Sequence, residues 1–452
     1  MLGFVHHAFF SMAASLSVLA ADVSLLSSST VPSSAFCDPS VKHEFGYIQL
    51  PHKVNDHYFY SFFESRGNPA KDPLVVWLEG GPGSSSTWAM FNVNGPCTIR
   101  DDLNGTTLNP YSWTKHANVL WLDQPTGVGF SYGDAADDDS NEIDVGRNFY
   151  AFMQGWLKQH PQFKSNPFFI TGQSYAGHYV PAAAAYIVEQ KTRLTASSIY
   201  INLQGIAIGN GLTDTVTQMA SSLHMAVNNS YNTPLVSPET FKQMSDDAVT
   251  LVDFLNQCQA INETDACFMA TQYWAETIML PMTTKPTRNI YDLREVCKNN
   301  RCNDYGAEKT KTYLNLPAVQ ARLGVHKKFE WSNDTVHDNF SVDFAKSTVG
   351  FVPAVLAAGV RVLVYAGDAD LMCDWIGNDA WTKKLEWPGA KGFNAAPTKS
   401  LKVAGKKAGE VRTSHELSFV RVYNAGHMVP SDQPEVALAL INRFFKNAPL
   451  DG

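Results

Sequence analysis

An α/β architecture, a largely parallel sheet with helices on both faces, is what this sequence predicts, and three observations carry the prediction. Short runs that are apolar at every position recur along the chain, as in Leu74-Val75-Val76-Trp77-Leu78, Val119-Leu120-Trp121-Leu122 and Val362-Leu363-Val364-Tyr365. Such runs suit strands covered on both faces, which is how a parallel sheet reads. Stretches with helical periodicity at 141–159, 176–190 and 434–446 fall between them, and alternating strand and helix build right-handed crossovers. The third observation is bulk: 452 residues, 44% of them hydrophobic, with 10 Trp and 26 Phe, supply a large core.

Taken in order, residues 1–20 read as a signal peptide. An apolar stretch at 8–19 is followed by small residues at Ala20 and Ala21, although the leading segment offers His6 and His7 rather than Lys or Arg. A Ser-rich, flexible stretch completes 21–36. Strands are expected at 45–50, 57–63, 73–78, 118–122, 167–171, 203–208, 361–365 and 417–423. The rhythm breaks at 212–312, where four of the seven cysteines lie without good strand candidates. This segment is expected to be a cap or insertion between the two parts of one catalytic domain, 37–211 and 313–452. Residues 388–412, rich in Gly, Ala and Lys, read as an exposed loop.

Charged residues make up 17% and the formal net charge is -8, so nothing points to a nucleic-acid partner. No later stretch is apolar enough to span a bilayer, and the expected product is secreted or vacuolar/lysosomal, free of the membrane once the signal is removed. Sequons at Asn104, Asn228, Asn262, Asn333 and Asn339 fit that route. Among the cysteines, Cys258 with Cys267 and Cys297 with Cys302 can close short loops, Cys37 and Cys97 pair by elimination, and Cys373 stays free. The oligomeric state is not written in the sequence.

The strongest chemical signal is Phe169-Ile170-Thr171-Gly172-Gln173-Ser174-Tyr175-Ala176-Gly177, an apolar strand followed at once by a serine between small residues and then by a helix. That is a nucleophile elbow, whose sharp turn lifts the hydroxyl above the sheet edge. A serine hydroxyl needs a base to take its proton and an acid to orient that base. In this fold both follow the serine, on loops after late strands. His427 stands after 417–423, and the loop after 361–365 offers Asp368 and Asp370, between which the residues alone do not choose. Two backbone amides must stabilise the oxyanion. Tyr175 supplies one, and the glycine-rich turn Glu79-Gly80-Gly81-Pro82-Gly83 lies where the other is required. Neither metal nor cofactor enters this scheme.

Together with Asp123-Gln124-Pro125-Thr126-Gly127, Tyr365-Ala366-Gly367-Asp368-Ala369-Asp370 and Gly426-His427-Met428-Val429-Pro430, these motifs resemble, in order, those of the serine carboxypeptidases of the carboxypeptidase Y kind. The resemblance runs from about residue 37 to the C-terminus. It implies an α/β-hydrolase fold and release of C-terminal residues from peptide or protein substrates through an acyl-enzyme. It further implies Asp370 as the triad acid, oxyanion donors at Gly81 and Tyr175, Met428 beside the leaving-group pocket and a free thiol at Cys373.

The chain departs from that pattern at the site for the substrate's terminal carboxylate. Where the family places an Asn beside Gly80 and two glutamates, this sequence has Glu79, Gln173 and Val93. An ionised Glu79 repels a carboxylate, whereas a protonated Glu79 and the Gln173 amide both donate to it, so peptide hydrolysis is expected at acidic pH. Asn94 is the neighbour that could take over instead. Ser84 and Ser332 also replace a bridged cysteine pair of the family. The altered carboxylate site leaves an alternative on the same fold and triad, an esterase or acyltransferase.

Overall fold

The computed structural model describes residues 36–260, 264–299 and 301–452. The predicted signal peptide and most of the Ser-rich stretch lie outside them, as does the sequon at Asn262. Ten strands form one sheet: β1 (His43–Gln49), β2 (His57–Phe63), β3 (Leu74–Leu78), β4 (Asn118–Leu122), β5 (Phe168–Ser174), β6 (Leu203–Gly211), β7 (Arg361–Gly367), β8 (Lys399–Val403), β9 (Lys406–Ser414) and β10 (Leu417–Val422). Their spatial order is β1-β2-β4-β3-β5-β6-β7-β10-β9-β8. The six strands from β4 to β10 in that order are mutually parallel, and an antiparallel pair flanks them on each side.

Alternate residues of the parallel strands feed two cores. Val76, Leu78, Leu120, Ile170, Ile206 and Val364 face one, together with Phe149 of α1 (Glu142–Gln159) and Val180 of α2 (Ala176–Gln190). Val75, Trp77, Trp121, Phe169, Leu363 and Tyr365 face the other, against Ile441 and Phe444 of α3 (Pro434–Phe445). Both faces are therefore covered, as the continuous apolar runs require.

One expectation is overturned. Residues 388–412 are not an exposed loop but a short helix, Ala390–Ala395, followed by the hairpin β8–β9 that extends the sheet. Ala404 and Gly405 both hold positive φ, 49° and 76°, at the two-residue connection, a geometry that matches the twist of paired strands. Leu401 and Val411 point inward, while the lysines that made the segment look like a loop face outward. The segment 212–312 is mostly helical, with Pro238–Ala260 and Thr264–Trp274 as its longest helices. It also holds a small hairpin, Arg288–Asn289 with Asp292–Val296, which the sequence reading lacked. Disulfides join Cys37 to Cys97, Cys258 to Cys267 and Cys297 to Cys302, and Cys373 is free and buried. Among the described residues no helix is long and apolar enough to cross a membrane.

Candidate active site

The C-terminal ends of β3, β5, β6, β7 and β10 bring the predicted residues to one edge of the sheet, the usual place for a site in such a sheet. Ser174 ends β5 with φ of 63°, and α2 starts two residues later. A left-handed serine is strained, and close packing holds it. A Cβ at Gly80 would lie 2.5 Å from the Tyr175 nitrogen, and one at Gly177 2.5 Å from the Leu212 nitrogen. Only glycine lets the turn after β3 and the loop after β6 approach the elbow so closely.

His427 Nδ1 lies 2.7 Å from Asp370 Oδ2, and its Nε2 is buried with no hydrogen-bond partner among the described residues. Asp370 is fully buried and heavily supported. Its Oδ2 also accepts from Asn210 Nδ2 at 2.9 Å and the Cys373 amide at 3.1 Å, and its Oδ1 accepts from the Met372 amide at 3.0 Å. This fixes the ring so that Nε2 is the free nitrogen. Asp368 does something different: its Oδ1 accepts from Tyr231 Oη and the Asn424 amide, tying two loops together. Of the two aspartates the residues left open, Asp370 is the one in contact with His427. The hairpin of the 212–312 segment reaches the same place, since the His427 amide donates to the Tyr291 carbonyl at 2.8 Å and the Tyr291 ring lies 5.0 Å from the imidazole.

Among the described residues the amides of Gly81 and Tyr175 are not taken up by any turn or loop carbonyl. Both residues line a cavity of about 230 Å³ with Ser174, Leu212, Tyr291 and Trp331. His337, Phe344, Met372 and Cys373 complete much of its wall. Burial, then the charges of Asp370 and Asp374, raise the Cys373 thiol well above its ordinary range. Met428, next in the chain to His427, is buried in the second of the two cores.

Glu79 and Gln173 are both buried and in contact with each other. Gln173 Nε2 donates to both carboxyl oxygens of Glu79, at 3.1 and 3.3 Å. Trp77 Nε1 and the Gly80 amide also donate to Glu79. Burial nevertheless pushes the Glu79 carboxyl up to about 7, against those donors and the nearby His427. Val93 is buried and apolar. Asn94 is buried too, its Oδ1 accepting from Trp121 Nε1 while its Nδ2 has no partner among the described residues. The segment Trp331–Asn333 runs beside the glycine-rich turn. Ser84 pairs with Ser332 as an isolated antiparallel bridge, flanked by Ser85 N to Trp331 O and Asn333 N to Gly83 O.

Asn210, Tyr291, Trp331, His337 and Phe344 were not singled out from sequence. Asn210 had a signal, as a polar residue at the end of an apolar strand in Gly209-Asn210-Gly211. The others come from segments whose position only the fold reveals.

A parallel sheet with a strained serine on its strand-to-helix turn and a later Asp–His pair defines an α/β-hydrolase of the serine type. The family model for serine carboxypeptidases matches residues 32–447, and the chain belongs to that family. It is 38% identical to serine carboxypeptidase-like 47 of Arabidopsis thaliana over 413 residues, covering 90% of this chain and 80% of that one. It is 39% identical to carboxypeptidase Y of Candida albicans over 408 residues, 90% and 73% of the two chains. The crystal structure of a prohormone-processing carboxypeptidase from Saccharomyces cerevisiae superposes with a TM-score of 0.79 at 25% identity, covering 91% of this chain and 93% of that one. The chain is a serine-type carboxypeptidase, acting on peptides.

Proposed function

We propose that Ser174 attacks the carbonyl of the last peptide bond, with His427 Nε2 taking its proton while Nδ1–H donates to Asp370, which keeps Nε2 as the acceptor. Support comes from the 2.7 Å contact between His427 and Asp370 and from the unpartnered Nε2. The amides of Gly81 and Tyr175 stabilise the tetrahedral oxyanion. His427 then protonates the leaving amine, and water releases the acyl group by the same steps. Met428 and Cys373 shape the binding site, and residues 212–312 act as a cap whose Tyr291 borders it.

Recognition of the terminal carboxylate falls to Glu79 with Gly80 and Gln173. The observation that carries this reading is the buried Glu79–Gln173 contact, with a carboxyl that stays protonated up to about pH 7. A neutral Glu79 donates a hydrogen bond to the carboxylate; an ionised one repels it. Peptide hydrolysis is therefore an acidic activity. Three disulfides fit an oxidising compartment, in keeping with secretion or a vacuolar/lysosomal destination.

The apolar Val93, and the engagement of Glu79 and Gln173 with each other, favour a second reading in which the triad serves an esterase or acyltransferase. Rates on a blocked dipeptide, its amide and its ester decide between them. The first reading requires the free acid to be the preferred substrate at acidic pH, and the second requires the ester to be preferred at every pH.

A further inference from the structure

The small hairpin of the 212–312 segment bears on both catalytic loops through the backbone of its turn, Ile290-Tyr291. Ile290 O accepts from the Leu371 and Met372 amides, both at 3.1 Å, and Tyr291 O accepts from the His427 amide at 2.8 Å. On the second strand of the hairpin the Leu293 amide donates to Ala369 O at 2.8 Å. The Met372 amide is shared, since it also donates to Asp370 Oδ1 at 3.0 Å. The loops bond to each other directly too, as in Ala369 N to Ala425 O at 2.8 Å. A Cβ at Gly426 would collide with Tyr291 O, so only glycine lets the His427 loop come this close to the turn. Two adjacent carbonyls thus reach the two loops, one that of Asp370 and the other that of His427.

What holds that turn in shape is the residue before it, Asn289, which is polar and yet buried. Its Oδ1 accepts from the Tyr291 amide at 3.0 Å, the two-residue reach of an Asx turn. Its Nδ2 donates to Glu295 Oε2 at 2.7 Å and to Tyr305 Oη at 3.1 Å. Glu295 is fixed in turn, its Oε1 accepting from the Asn303 amide at 2.8 Å. At the base of the hairpin the Cys297 amide donates to Thr287 O at 2.9 Å, and the Cys297–Cys302 disulfide closes the loop that follows. A buried amide that loses its partners costs stability anywhere in a fold. Here the same bonds also set where the two carbonyls point.

On the triad assignment above, we propose that Asn289 is a positioning residue: by fixing the Ile290-Tyr291 turn it holds the Asp370 loop and the His427 loop in register, and so sets the contact between those two side chains. The cap segment is then part of the support of the triad and not only a cover over the cavity. Without the Asn289 side chain the Tyr291 amide loses its acceptor, the turn relaxes, and the carbonyls that seat Met372 and His427 move. The two loops follow different strands, so a shift in one is not matched by the other. Misplacement by about 1 Å at such a site costs on the order of a hundredfold in rate, and a partial shift costs less.

The test compares wild type, Asn289→Ala and Asn289→Ser by kcat on an ester substrate, by the rate of fluorophosphonate labelling at Ser174 and by thermal midpoint. Labelling reads the activation of Ser174 by His427 without calling on the rest of the substrate site. Asn289→Ala should lower kcat and the labelling rate together, each by about tenfold or more in fully folded protein. Asn289→Ser restores an acceptor for the Tyr291 amide, since serine forms the same turn more weakly, and should bring kcat back to within about threefold of wild type. Wild-type kcat and labelling in folded Asn289→Ala, whatever its midpoint, overturn the proposal, and so does an Asn289→Ser variant no faster than Asn289→Ala. Should Asn289→Ala not fold, Glu295→Ala takes its place: it removes the 2.7 Å partner of Asn289 Nδ2 from a half-exposed position. Both rates should then fall about threefold, and unchanged rates overturn the proposal equally. Labelling of the wild type separates this result from failure of the site itself. An unlabelled Ser174 rejects the triad assignment, and a labelled Ser174 with unmoved variants rejects only the role of Asn289.

Discussion

Gln173 Nε2 lies within hydrogen-bonding distance of both carboxyl oxygens of Glu79, and this buried contact occupies the place where the family resemblance puts the reader of the substrate's C-terminus. Because burial pushes Glu79 up to about 7, peptide kcat/KM should fall as pH rises through that value. Peptide-amide and ester substrates should be far less affected between pH 6 and 8. Glu79→Gln keeps the donors without the titration and should carry peptide hydrolysis to higher pH. Profiles for peptide and ester that coincide in the wild type would remove Glu79 from carboxylate recognition.

The same burial makes the folded protein sensitive to pH. Glu79, Asp56 and Asp374 are each pushed up to about 7 by burial, whereas in the unfolded chain such groups ionise near pH 4. Between about pH 4 and 7 the folded state binds more protons, so stability falls as pH rises through that window. For Glu79 the loss approaches about 3 kcal/mol. Urea denaturation at pH 4.5, 6 and 8 should show this decline, and Glu79→Gln should flatten it. Equal slopes for wild type and variant would contradict the assignment.

Ser84 and Ser332 oppose each other without exchanging backbone hydrogen bonds, since the flanking bonds run from Ser85 and Asn333. The Cα atoms of such a pair are about 4.5 Å apart, within reach of a disulfide. The double variant Ser84→Cys/Ser332→Cys should therefore oxidise to a cross-link and raise stability by about 2–4 kcal/mol. Thiol titration before and after reduction reports it. Two persistent free thiols from these positions would show that the segments do not stay paired.

Much of this was legible because the decisive residues follow apolar strands. Ser174, Asp370 and His427 each stand at or just past the C-terminal end of one, and strand ends are visible as breaks in hydrophobicity. The hairpin Lys399–Val403 with Lys406–Ser414 was hidden, because its outward lysines outnumber the inward Leu401, Val403 and Val411. The Tyr291 contact to His427 joins residues 136 positions apart, and the Tyr175–Asp343 bond joins residues 168 apart. Neither leaves a local pattern. The choice between Asp368 and Asp370 depends on which side chain turns toward His427, a matter of loop geometry that spacing does not encode.

Ser174 is the group on which hydrolysis of the C-terminal peptide bond turns. Mass spectrometry of an N-terminally blocked peptide incubated at acidic pH with wild type and with Ser174→Ala tests it directly. The wild type should release single residues from the C-terminus, and the variant, folded to the same thermal midpoint within error, should retain less than about a thousandth of that rate. Comparable release by Ser174→Ala, or an intact peptide with the wild type alongside rapid cleavage of its ester, would contradict the account.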